Sequence, residues 1–246
     1  ETGDVTVTYR RKRREPSVIR LVFPNGCVLL PLEFRLGDAH PTAKRERTIL
    51  FYGDSGFTRW KPFYGHRPME EDILGKDGNK AVINHGFGTS TAEEQLYYYP
   101  RLIKPWKPKA LVLMTYGNDR DCGYSPEQVL FLQARLMEYA RKDIPGIRFY
   151  LCDARPFAIY LGTPEWTSWE SYYTQYNRLL AQYCKEHEDC TLVCHGDSPL
   201  FFETPACTGD YQKIRTDIFV ADKVHYNQMG YDLYGEFFRQ VLDDIL

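Results

Sequence analysis

The chain has 246 residues and a formal net charge of −2, with apolar and charged residues in ordinary proportions. That length suits one α/β domain, in which folding buries roughly 70–75% of the unfolded surface. The charge argues against a nucleic-acid-binding protein, and no apolar run approaches the roughly 20 residues of a membrane span.

Glu1-Thr2-Gly3 reads as an expression remnant and is set aside. Arg10 to Arg14 form a basic run, which reads as a solvated edge. Two apolar stretches follow, Ser17 to Phe23 and Cys27 to Phe34, separated by Pro24-Asn25-Gly26. That pattern predicts a β-hairpin. Gly37 to Arg47 is polar and reads as a linker, so residues 1–47 form an extension ahead of a main domain over 48–246.

From Thr48 onward, short apolar runs fall at Thr48–Tyr52, Ala81–Asn84, Ala110–Tyr116, Ile147–Cys152, Thr191–Cys194 and Asp217–Ala221. Helical stretches lie between several of them. Ser90 or Thr91 with Glu93 or Glu94, Ser125 with Gln128, and Thr167 with Glu170 each have capping-box spacing, and Pro126 suits a first helical position. A last helix is expected from about Asn227. Alternating strands and helices predict a parallel sheet covered on both faces. Seven cysteines, an odd number, favour free thiols in a reducing compartment, and hence a cytoplasmic rather than a secreted chain. One disulfide among Cys184, Cys190 and Cys194 is compatible with their clustering, whereas the lack of a C-x-x-C pair argues against a zinc site.

The chemistry concentrates at strand ends. Gly53-Asp54-Ser55-Gly56 closes the first run, at the sheet edge where open α/β folds bind their ligands. A serine hydroxyl needs an adjacent base to act as a nucleophile. His225 alone among the six histidines follows an aspartate, Asp222, by three residues. Ser55, Asp222 and His225 are therefore candidates for nucleophile, orienting carboxylate and base. Asn84 to Thr89 leaves the second run and Gly117-Asn118-Asp119 leaves the third. The N–H groups of Ser55 and Gly88 and the amide of Asn118 could there converge on an oxyanion. Singly, these are also ordinary turn residues. Trp60, Phe63, Tyr64, Arg155, Phe157, Tyr160 and Trp166 follow sheet-edge turns and could line a pocket, with Trp60, Arg155 and Trp166 the principal candidates.

Other motifs fail. Gly-Asp-Ser-Gly also surrounds the nucleophile of trypsin-like proteases, but there it lies late in an all-β chain. Position 57 is Phe, not the glycine of a G-x-S-x-G elbow. Position 91 is Thr, so Gly86-x-Gly88 lacks the third glycine of a dinucleotide loop.

In combination, Phe51 to Ser55, Asn84 to Thr89, Tyr116 to Asp119 and Asp222 to His225 resemble the blocks of the SGNH hydrolases, the GDSL-type esterases and lipases. The resemblance runs from Thr48 to the end. It implies a three-layer α/β/α sandwich with a flavodoxin-like parallel sheet, and ester hydrolysis through an acyl-serine without metal or cofactor. By the match Ser55 is the nucleophile, His225 the base and Asp222 its orienter, with Ser55, Gly88 and Asn118 as oxyanion donors. Thr89 stands where the family often has a second glycine, so the backbone donor is Gly88 or Thr89. The expected activity is removal of a short acyl group, acetyl first, from a carbohydrate or other small alcohol. A lysophospholipase, a thioesterase, an acyltransferase and a carbohydrate-binding module that has lost catalysis are the alternatives.

Overall fold

A computed structural model describes residues 48–155 and 157–246. The expected hairpin and linker of residues 1–47 lie outside the described residues. Five strands form one parallel sheet: β1 (Ile49–Gly53), β2 (Val82–Asn84), β3 (Ala110–Met114), β4 (Arg148–Cys152) and β5 (Cys190–Val193), in the order β2-β1-β3-β4-β5. The helices are α1 (Ser55–Thr58), α2 (Met69–Asp72), α3 (Ala92–Leu102), α4 (Gly117–Asp121), α5 (Pro126–Asp143), α6 (Trp166–Glu186) and α7 (Gln228–Val241). None is long and apolar enough to cross a membrane.

Every residue of β1 and β3 is buried, as expected of parallel strands covered on both faces. The period-2 alternation of the strand decides what each residue meets. Phe51 packs edge-on against Phe57 and against Phe238 of α7. Tyr52, pointing the other way, donates its hydroxyl to the Gln95 carbonyl of α3 at 3.0 Å. α3, α5 and α6 pack side by side, and α7 packs against α2. The result is the three-layer α/β/α sandwich expected. Its strand order is the flavodoxin-like one, in which the chain reverses direction across the sheet at β1 and β3, and ligands bind beyond the carboxyl ends there.

Two capping boxes form as the sequence suggests, Thr91 with Glu94 and Ser125 with Gln128. The third does not. α6 begins at Trp166, one residue before Thr167, so Thr167 and Ser168 already lie in its first turn and Glu165 occupies the cap position. The sixth apolar run is also corrected. Asp217–Ala221 adds no strand to the sheet, because the segment bonds to itself across a tight turn. Val220 N–H donates to the His225 carbonyl and Asn227 N–H to the Ile218 carbonyl, both at 2.9 Å. Phe219 and Tyr226 form an isolated antiparallel bridge. Six described cysteines are free thiols, Cys184, Cys190 and Cys194 among them.

Asn227 ties this hairpin to α7. Its Oδ1 caps the helix by accepting from Gly230 N–H at 3.0 Å, while Nδ2 donates to the Asp217 carbonyl at 2.7 Å. Asn227→Ala should therefore lower stability by about 1–2 kcal/mol, the upper range for a lost N-cap. Asn227→Asp, which keeps the cap and loses the Nδ2 donor, should fall between the two. Urea denaturation of the three proteins checks the order.

Candidate active site

β1 ends at Gly53, and the chain turns into α1 through Asp54. Asp54 Oδ1 accepts from Gly56 N–H at 2.8 Å, an N-cap that fixes Ser55 as the first residue of the helix. Asp54 is buried, and burial raises its pKa against the opposing effects of Arg155 and the Gly56 N–H. Ser55 itself is half-buried.

The candidate base, His225, arrives from the far end of the chain on the hairpin held by Asn227. His225 Nε2 lies 2.8 Å from Ser55 Oγ, and Nδ1 lies 2.7 Å from Asp222 Oδ2. Asp222 Oδ1 accepts two further bonds, from Val224 N–H and His225 N–H, each at 2.9 Å. A carboxylate bonded to Nδ1–H leaves Nε2 as the acceptor for the serine proton, the tautomer a general base requires. Burial alone would raise the Asp222 pKa; the two N–H groups and the imidazole bring it down to about 2. His225 is pushed down to about 4, first by burial, then by the Arg155 charge, with Arg59 adding and Asp222 opposing. The imidazole is accordingly neutral at physiological pH.

The turn that makes this possible places Lys223 at φ +57°, in the left-handed region that a lysine seldom adopts. Its carbonyl accepts from both Ala158 N–H and Ile159 N–H, at 3.0 and 3.1 Å, which docks the loop after β4 on the turn.

The loop after β2, which carries the candidate oxyanion donors, lies against α1. Phe87 N–H donates to the Gly53 carbonyl at 2.6 Å. Asn84 Oδ1 accepts from Gly86 N–H, and Asn84 Nδ2 donates to the Phe57 carbonyl, both at 2.8 Å. A Cβ on Gly86 would stand 2.3 Å from Thr58 N, so only glycine lets this loop lie against α1. From the loop after β3, Asn118 Nδ2 donates to the Ser90 carbonyl at 3.1 Å, which leaves its second N–H for a ligand. Asp119 anchors the same region: it accepts from Ala92 N–H at 2.8 Å and from the Thr115 hydroxyl, and burial pushes its pKa up to about 6. Among the described residues the N–H groups of Ser55, Gly88 and Thr89 have no hydrogen-bond partner. Thr89 takes the left-handed conformation, φ +61°.

The pocket candidates fare differently. Trp60 is 0% exposed; it stacks on Tyr231 and Tyr234 and donates Nε1 to Asp72, so it is core rather than pocket wall. Arg155, 2% exposed, lies beneath the site rather than in its mouth. Trp166 is half-buried and packs on Trp169. Phe157 is buried against Tyr116. Phe63 is exposed, while Tyr64 lies under Arg59 and Tyr160 under Arg120. Arg59, which sequence reasoning missed, donates to Asp222 Oδ2 at 3.1 Å. Its spacing of four from Ser55, one helical turn, was the available signal.

A second carboxylate–imidazole pair is present and does not compete. His195 Nδ1 lies 2.5 Å from Asp153 Oδ1, and its Nε2 meets the Tyr234 hydroxyl at 3.1 Å. The ring is wholly buried with both nitrogens already partnered, which makes it a structural link between β4 and α7.

A base is competent only when neutral, so Ser55 reactivity should be lost as pH falls through the folded His225 pKa of about 4. The rate of Ser55 labelling by a fluorophosphonate should stay near its neutral plateau at about pH 5.5, where an unperturbed histidine would already be mostly protonated.

The family model described as GDSL-like Lipase/Acylhydrolase matches residues 46–238. A search of curated protein sequences finds no match. Among solved structures, a GDSL-like lipase from Bacteroides thetaiotaomicron VPI-5482 superposes with a TM-score of 0.61 at 19% identity, over 82% of this chain and 91% of that one. An acetyl xylan esterase gives a TM-score of 0.60 at 16% identity, over 79% and 99%. A psychrotrophic esterase from Pseudoalteromonas sp. gives 0.56 at 14%, over 80% and 97%. With the family model covering most of its length and the fold agreeing, the chain belongs to the GDSL-like lipase/acylhydrolase family, the SGNH hydrolases.

Proposed function

We propose that the chain is a serine esterase that hydrolyses short-chain acyl esters, acetyl foremost, of a carbohydrate or another small alcohol. The observation that carries this reading is the unbroken chain from Ser55 Oγ through His225 to Asp222, at 2.8 and 2.7 Å. Neutral His225 Nε2 takes the hydroxyl proton as Oγ attacks the acyl carbon. The carbonyl π electrons move to oxygen, and the imidazolium that forms is stabilised by Asp222. Ser55 N–H, Gly88 or Thr89 N–H and the second Asn118 Nδ2 proton are the donors for that oxyanion. As the tetrahedral species collapses, His225 gives its proton to the departing alcohol oxygen, leaving acyl-Ser55. Water then attacks with His225 again as base, and the carboxylic acid leaves with Oγ reprotonated.

An acetyl xylan esterase shares the fold, a likeness consistent with acetyl esters.

Ser55→Ala should fold normally and bring p-nitrophenyl acetate hydrolysis to background; retention of most activity would sink the assignment. Asn118→Ala should lower kcat by about 10²–10³, the usual effect of losing one oxyanion donor. Across an acyl series, acetate should exceed octanoate in kcat/KM by at least about tenfold. A preference for octanoate would point to a lipase or thioesterase instead, and failure of a fluorophosphonate to label Ser55 would point to a binding module.

A further inference from the structure

Arg59 caps the C-terminal end of α1, and its N–H donates to the Ser55 carbonyl at 3.0 Å. Its side chain reaches the far end of the chain, where Nη1 donates to Asp222 Oδ2 at 3.1 Å. That oxygen is the one that meets His225 Nδ1 at 2.7 Å. The four residues therefore close a circuit: Ser55 Oγ to the imidazole, imidazole to carboxylate, carboxylate to guanidinium, and Arg59 N–H back to the Ser55 carbonyl. The guanidinium carbon lies 5.7 Å from the Tyr64 ring centre, and that ring backs the side chain.

Among the described residues, two hydrogen bonds join the Asp222–His225 turn to α1 and its cap. One is His225 Nε2 to Ser55 Oγ, and it lasts only while Ser55 keeps its proton. An acylated Oγ has no hydrogen to donate, and a neutral imidazole protonated at Nδ1 has none at Nε2 to give in return. The other is the Arg59–Asp222 bond, which acylation leaves intact.

The two side chains of that pair are 35% and 38% exposed, so the pair adds little to stability. Nor does its charge help the base. Guanidinium and imidazolium would share one carboxylate oxygen, and like charges so placed oppose each other. By charge alone, removing Arg59 would speed proton transfer. What the contact does supply is a fixed seat for the turn.

Resting on the reading of Ser55 as nucleophile and His225 as its base, we propose that Arg59 is a positioning residue that acts through Asp222: it keeps the turn seated on the nucleophile helix while Ser55 is acylated, so that His225 is in place to deprotonate the attacking water. In the free enzyme, loss of Arg59 leaves the turn held at Ser55. In the acyl-enzyme it leaves neither bond. Deacylation therefore depends on Arg59 more than acylation does.

The test follows the acyl-enzyme by rapid quench and intact mass in the wild type, Arg59→Met, Arg59→Gln and Arg59→Lys. The substrate is p-nitrophenyl acetate, and Ser55→Ala is the control for acetylation elsewhere. In the two neutral variants the deacylation rate constant should fall about tenfold, while kcat/KM, which reports acylation, should fall by less than about threefold. Acetyl-Ser55 should accordingly accumulate to a higher steady-state fraction than in the wild type. Arg59→Lys, which keeps the charge and one donor, should deacylate within about threefold of the wild type. An unchanged deacylation rate constant in the neutral variants would overturn the proposal, as would equal slowing of the two steps or a loss in Arg59→Lys as large as in Arg59→Met. Failure of both neutral variants to fold would overturn it too, since the contact would then be a requirement of the fold. A wild type that takes up no more acetyl than Ser55→Ala would remove the esterase reading and this proposal with it. Acetylation of the wild type at Ser55, with deacylation unmoved in the variants, would remove this proposal alone.

Discussion

The Asp222 carboxylate accepts two N–H groups of its own turn through one oxygen and presents the other to His225 and Arg59, and the rest of the site is arranged around that division. Asp222 and His225 are three residues apart, so closing that pair orders only a short loop. The long-range work is confined to one contact, His225 to Ser55, across 170 residues of sequence. The sheet performs that work. β1 delivers Ser55, and the hairpin that α7 anchors delivers His225 to the same edge.

The two carboxylate–imidazole pairs show how context assigns a role to identical chemistry. Asp153–His195 is the more deeply buried, and its Nε2 is already occupied by a phenol. Asp222–His225 keeps one face toward an open strand end, and its Nε2 meets a primary hydroxyl. Neither pair is distinguished by bond length or by residue type. What separates them is the third partner and access to a substrate.

Much of this was legible in the sequence. Five of six apolar runs became strands because a parallel strand buried on both faces is written as a plain apolar run, and Ser55, Asp222 and His225 stood out because their order and spacing matched a known chemistry. The sixth run misled for a physical reason: Ile218 and Phe219 are buried like strand residues, but under a hairpin that bonds to itself. Trp60 and Arg155 misled in the same direction. A strand-end position says that a side chain is near the site, not whether it faces the mouth or the core, and both turned inward. Nor does composition show that an arginine can be packed between two rings, since the π faces that receive it come from Phe157 and Tyr226, far apart in the chain. Thr167 failed as a cap because helix α6 had already started upstream.

The carbonyl of Lys223 joins two parts of the molecule that otherwise have separate duties. It sits between the acid and the base, in a backbone conformation that glycine would hold more easily, and it carries the loop after β4 on two hydrogen bonds. Loops at this edge are where proteins of this architecture vary to accommodate different substrates. Here that variation is constrained: any lengthening or re-routing of Ala158–Ile159 pulls first on the peptide next to His225. The loop after β4 and the Asp222–His225 turn are thus joined through one peptide group, so a change at Ala158 or Ile159 bears on the placement of the imidazole as well as on the rim.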